Sequence, residues 1–232
     1  MDMTRLPLNT PSSDPHVPIL TSPNLVTAKR VILFFGESVQ DLGIFAYRIV
    51  GQESISSGSA LDFIHAIQSG KDGDDTAIVI ANPGQLIWYR RGQRAMSLKS
   101  WDALPRKTGV GNAMRIDSVK NHVPGNYDAK EHVESVLEAV AKLAREDAKI
   151  EIIGINEGAE MAVQYLDREW ARWEKRVQAI CVGLGFIWRV GDELENKQFL
   201  GFWGRVSLIA DLSGLSPLLT TPSARSRLPH PL

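Results

Sequence analysis

A chain of 232 residues holds enough material for one α/β domain with a buried core and too little for two of ordinary size. Its 44% hydrophobic and 23% charged content excludes a fully disordered chain, and a net charge of −1 leaves no global basic field to draw it onto nucleic acid or anionic lipid. The single cysteine, Cys181, excludes an intramolecular disulfide framework and fits a reducing compartment.

The first 28 residues carry Pro7, Pro11, Pro15, Pro18 and Pro23 among Ser, Thr and Asn. With backbone donors missing and few apolar anchors, this stretch reads as a mobile arm, and order is expected from about Lys29. It shows no basic segment followed by an apolar run, so it is not read as a signal peptide. No window approaches the roughly 20 apolar residues that a bilayer requires. The expected location is cytosolic or nuclear, with no membrane attachment.

Val31-Ile-Leu-Phe-Phe35, closed by Gly36, has the continuous apolar character of a strand buried on both faces. Ile44 to Val50 reads as a short helix or a further strand. Ala60, Phe63, Ile64 and Ile67 share one helical face, with Gly70 as a stop. His65 in that helix has no second ligand at i+4, and neither a metal nor a cofactor is expected. Thr76 to Ala81 is a second apolar strand, closed by Asn82-Pro-Gly84, and Ile87-Trp-Tyr89 is expected to add an edge strand. Residues 105–127 read as a long connection.

Asp128, with Glu131 three residues on, is a capping-box pair opening a helix whose Val133, Val136, Leu137, Val140 and Leu143 recur at helical spacing. Lys149 to Ile155 is the third core strand. A helix from Gly158 to about Lys175 turns Ala162, Val163, Leu166, Trp170 and Trp173 inward, and Val177 to Val182 is a fourth strand that takes Cys181 as a small buried hydrophobe. Strands alternating with helices predict an α/β fold, α/β-hydrolase-like, with a mostly parallel sheet flanked by helices. From Gly204 on, Ser, Pro, Leu and Arg crowd together. This tail is expected to be poorly ordered, and a C-terminal truncation of the fold is one reading of it.

Gly154-Ile-Asn-Glu-Gly158 follows a strand and opens a helix, the context in which G-x-S-x-G forms a nucleophile elbow. Flanking glycines let strand and helix approach, and the N–H after the central residue faces an oxyanion. Here the centre is Asn156, whose carboxamide forms no acyl-enzyme. Losing a triad nucleophile costs about a million-fold in rate. Triad partners are missing too. Asp192 and Glu193 stand where a triad acid lies, but the only downstream histidine is His230 in the tail, and His122 and His132 come upstream, where surface roles are expected. The elbow Gly154, Asn156, Glu157 and Gly158 is therefore read as degenerate, either as bare strand–turn–helix packing or as the polar floor of a ligand site.

Gly36-Glu37-Ser38 stands where hydrolases place an oxyanion loop, although the glycine also serves simply to end the strand. Ligand-binding candidates are thus Gly36, Glu37, Ser38, Asn82 and Asn156. A hydrolase with a displaced nucleophile, Ser38, is the alternative. Tyr89-Arg-Arg-Gly-Gln-Arg94 mixes an aromatic ring with three arginines, either a local RNA patch or charges guarding a hairpin edge.

Taken together, Asp41-Leu-Gly43 with Tyr47 and Arg48, Ser57-Gly-Ser-Ala-Leu-Asp-Phe63, Ile80-Ala-Asn-Pro-Gly-Gln-Leu86, Ser100-Trp-Asp-Ala-Leu-Pro105, Val123-Pro-Gly-Asn126 and Asp147 to Gly154 resemble the fungal Argonaute-binding-protein (Arb2) domain family. The likeness runs from about Arg30 to Phe202. It implies an α/β-hydrolase-like, non-catalytic binding or scaffold module, with a protein partner in an Argonaute-chaperone or histone-deacetylase complex and a place in chromatin silencing. Some members carry serine in the elbow, where this chain has Asn156. A truncated, nonfunctional homologue is the remaining reading.

Overall fold

The computed structural model describes residues 3–7, 11, 13–106, 114–183 and 194–210, with backbone alone from 204 on. In chain order the elements are β1 (Thr4–Pro7), β2 (Pro18–Thr21), β3 (Arg30–Phe35), α1 (Tyr47–Gln52), α2 (Ile55–Gly58), α3 (Ala60–Gln68) and β4 (Thr76–Ala81). There follow β5 (Ile87–Tyr89), β6 (Arg94–Met96), α4 (Leu98–Asp102), α5 (Ala129–Leu143), β7 (Lys149–Ile155), α6 (Glu157–Trp173), β8 (Val177–Gly183), α7 (Lys197–Val206) and β9 (Ser207–Ala210).

Seven strands form one sheet in the order β1-β2-β4-β3-β7-β8-β9. From β4 to β9 every neighbouring pair is parallel, and β1 and β2 add an antiparallel flank. This is the mostly parallel, helix-flanked, α/β-hydrolase-like arrangement that the sequence predicts. Period-two alternation divides β3 and β4 between two cores. Val31, Leu33, Phe35, Ala77 and Val79 face the larger cluster with α5 and α6, whereas Phe34, Ile78 and Ile80 face Ala60 and Ile64 of α3. Both faces being covered is why these strands read as unbroken apolar runs. On β7, Ile150 and Ile152 are buried while Ile153 and Ile155 on the opposite face are half-buried.

Helix α5 starts as its capping box dictates. Asp128 accepts the Glu131 N–H at 2.9 Å, and Glu131 reaches back to the Tyr127 N–H at 3.0 Å. Across the helix pair, Arg172 holds Glu138 at 2.8 Å, Arg168 meets Glu134, and the Tyr165 hydroxyl donates to Glu138. Beneath this polar seam, Val133, Val136, Leu137 and Val140 pack in the same core as Val163, Leu166 and Trp170.

Several expectations are corrected. The Pro-rich stretch before Lys29 is not a mobile arm across its described residues, because β1 and β2 join the sheet and Val17, Ile19, Leu25 and Ala28 are buried. Pro7 and Pro18 sit opposite one another at strand ends, where a missing N–H costs no ladder bond. Ile87–Tyr89 is not an edge of the main sheet but pairs with β6 in a separate hairpin. The chain past Gly204 supplies β9, which lies beside β8, and residues 211–232, with His230, lie outside the described residues. Asp192 and Glu193 lie outside them as well. Cys181 is only partly buried, and that burial pushes its thiol pKa up.

His132, expected at the surface, is fully buried in α5. Its Nδ1–H donates to Asn126 Oδ1 at 2.7 Å, and Nε2 has no partner among the described residues. Burial lowers its pKa to about 3, so the folded chain keeps a neutral ring where the unfolded chain takes up a proton. A folded-state pKa below the unfolded value of about 6.5 makes the stability from His132 full above that value and lost as pH falls towards 3. Lowering pH from 7.5 to 5 is expected to remove about 2 kcal/mol in urea unfolding, with most of that loss absent in His132→Gln. An unchanged pH slope in the variant would contradict the buried neutral ring.

Candidate functional site

The C-terminal ends of β3, β4 and β7 meet at one edge of the sheet, and each carries a loop that the sequence marks as special. At β7 the chain makes the expected bend, with Asn156 at φ 50° and ψ −123° between strand and α6. The glycines on either side are required by contact. A Cβ on Gly154 would lie 2.5 Å from Ala159 Cα, and one on Gly158 would lie 2.8 Å from Phe35 Cβ and 2.9 Å from the Gly36 carbonyl oxygen. At ψ −123° Asn156 lies outside the left-handed helical well that asparagine visits readily, so the turn is strained and held by its surroundings.

Asn156 does not face an empty cleft. Its Nδ2 donates to Glu37 Oε1 at 2.5 Å, across 119 positions of sequence. Glu37 Oε2 accepts from Gln40 Nε2 at 3.3 Å, and the Gln40 carbonyl accepts from Asn82 Nδ2 at 2.6 Å. Asn82 Oδ1 in turn accepts the Gly84 N–H at 2.8 Å. Gly84 lies against Ser38 so closely that a Cβ there would come within 1.8 Å of the Ser38 carbonyl oxygen. A continuous polar chain therefore ties the three strand ends together.

This geometry sorts the five candidates. Glu37 and Asn156 come together as partners. Asn82 is 3% exposed and spends both ends of its amide inside the loops, so it braces the site rather than reaching outward. The Gly36 N–H donates to Ala81 at 2.9 Å, continuing the β3–β4 ladder, which favours the strand-ending role over an oxyanion donor. Ser38 is half-buried beneath Gly84. Among the described residues no histidine bonds to Ser38, Glu37 or Asn156, since His132 is committed to Asn126 and His122 stacks on Tyr127 at 4.3 Å. No group of three or more metal-ligating side chains occurs among them either.

A second polar cluster, not singled out as a site by the sequence, stands beside the first. Asp41 accepts the Tyr47 hydroxyl at 2.5 Å, the Ser97 hydroxyl at 2.7 Å and the Ser100 hydroxyl at 2.8 Å. Burial pushes the Asp41 pKa up, but these donors outweigh it and hold the group below its ordinary value. Tyr47, pushed by burial and by Asp41, rises to about 12. Gln85 extends the cluster by accepting the Leu42 N–H at 2.6 Å and donating to the Ala95 carbonyl. The signal was present in the sequence, since Asp41, Tyr47, Gln85 and Ser100 all lie in the segments that carry the family resemblance.

The profile of the Arb2 domain matches residues 1–207. No curated protein matches the chain by sequence. Among solved structures, the chain is similar to a histone deacetylase from Saccharomyces cerevisiae, at 17% identity and a TM-score of 0.49, covering 93% of this chain and 76% of that one. It is also similar to a lidless α/β serine hydrolase from Xanthomonas campestris, at 13% identity and a TM-score of 0.35, covering 91% and 84%. An α/β serine hydrolase homologue from Coxiella burnetii matches at 9% identity and a TM-score of 0.38, covering 91% and 88%.

Replacing Gly154 with alanine is expected to cost about 2–3 kcal/mol in denaturant unfolding, because the clash is with the backbone of α6. Gly51→Ala, with nothing within 4 Å of the new Cβ, is the control and should not destabilise. Asn156→Gly and Asn156→Ala lose the same bond to Glu37, so their stability difference reads the strained turn alone. Glycine should be the more stable by about 1 kcal/mol.

Proposed function

The chain belongs to the Arb2 domain family, and from that membership we propose that it acts as a non-catalytic binding module, its elbow kept for shape and its acyl chemistry lost. The observation that carries this reading is the Asn156–Glu37 pair. Where a hydrolase presents a nucleophile beside N–H donors aimed at a developing negative charge, this site presents a carboxamide already bonded to an acidic side chain. An acid there opposes an oxyanion, and a carboxamide attacks no carbonyl.

The partner in this reading is a protein, of the Argonaute-chaperone or histone-deacetylase type that the family resemblance implies, the process is chromatin silencing, and the chain itself resides in the nucleus or the cytosol. The rigid network at the ends of β3, β4 and β7 supports a docking role, because a surface fixed before contact loses little entropy on binding. No helix among the described residues is long and apolar enough to cross a membrane. Hydrolysis through Ser38 finds less support, since no described base stands within hydrogen-bond reach of that side chain.

Purified protein assayed on short p-nitrophenyl esters should turn over no faster than its Ser38→Ala variant. Tagged protein recovered from its native cells should bring down an Argonaute-complex or deacetylase subunit, identified by mass spectrometry. Ester turnover abolished by Ser38→Ala would overturn the non-catalytic reading.

A further inference from the structure

A cavity of about 510 Å³, separate from the elbow, opens between the β5–β6 hairpin and residues 114–121. Arg90, Arg91, Arg115 and Lys120 line it, and Asp117 is the one acidic residue in its wall. Asp117 is mostly occupied at home. Its Oδ1 accepts the Val119 and Lys120 N–H groups, and its contact with the Lys120 amine is a long 3.9 Å. Among the described residues, no ion pair joins Arg90, Arg91 or Arg115 to a carboxylate. Four cations around one carboxylate give this hollow a local positive potential in a chain whose net charge is −1, and an anion entering it is attracted.

Guarding an open strand edge does not account for these charges. The outward backbone groups of Trp88 on β5 are already covered, its N–H donating to the Asn121 carbonyl at 2.7 Å and its carbonyl accepting from Asn121 Nδ2 at 2.8 Å. The cavity also offers little aromatic surface on which bases could stack. Trp101 is 2% exposed and its Nε1–H is held by the Met114 carbonyl at 2.6 Å. Tyr89 is half-buried, with Gly92, whose Cβ would lie 2.5 Å from the ring, and the edge of Trp101 packed against it. These same contacts fasten the cavity's walls to one another, so the cations surround a preformed hollow within the size range of small-ligand pockets.

We propose that this cavity binds a small phosphate-rich anion, of the size of a nucleoside triphosphate, gripped through its phosphates by the guanidinium forks of Arg90, Arg91 and Arg115. Arginine matches phosphate oxygens in bidentate fashion, and with Trp101 buried and Tyr89 half-buried, the phosphates rather than the base carry recognition. Inorganic triphosphate, ATP and GTP titrated calorimetrically into the full chain at low ionic strength should therefore bind with similar affinities. The double variant R90A/R91A and the single variant R115A should each weaken binding by at least about tenfold. Arg145→Ala, remote and paired with Asp147, should leave it unchanged. All three arginines are exposed, so folding should survive, and thermal unfolding of each variant checks this. Failure of triphosphate and ATP to bind the native chain, equal binding by the variants, or binding confined to single-stranded RNA or an acidic peptide would each overturn the proposal.

Discussion

The bend between β7 and α6 constrains everything around it. Gly154 and Gly158 let the first turn of α6 press against the end of β3, and no side chain larger than hydrogen fits at either place. That approach forces Asn156 to positive φ and fixes where its amide points. From there one chain of hydrogen bonds runs through Glu37 and Gln40 to Asn82, so a single tight turn sets the positions of three loops. Packing alone demands these two glycines, whatever residue stands between them.

What the sequence revealed depended on how local the physics was. Buried parallel strands announce themselves as apolar runs, and the Asp128–Glu131 box and the inward face of α6 follow from spacing within a single helix. The N-terminal strands were hidden because proline content argues for disorder unless the rings fall at strand ends or between strands, and only the pairing of Pro7 with Pro18 shows that two of them sit at strand ends. His132 was unreadable for a similar reason. Its burial depends on Asn126, supplied by the turn before the helix, and on a core assembled from distant strands.

At the site the divide is sharper. The strand–turn–helix context of Asn156 was legible from five residues, but its partner Glu37 lies 119 positions away, and no local pattern joins them. Asn82 looked like a ligand contact because loop asparagines at strand ends so often are. Its enclosure between Gln40 and Gly84 makes it part of the frame instead. The Asp41 cluster shows the converse. Its members stood in separate family segments, and only the fold reveals that these segments share one carboxylate.

The antiparallel flank also bears on how the chain is made. Residues 4–21 leave the ribosome more than fifty residues ahead of β4, the strand to which β2 pairs through Leu20 and Thr21. During synthesis β1 and β2 can form at most a lone hairpin, which is marginal in water without a third strand. The central parallel strands must wait longer still, since β3 pairs with β7 across more than a hundred intervening residues. Assembly therefore favours a late, concerted collapse over stepwise growth, and until β7 emerges the apolar faces of β3 and β4 lack part of their cover.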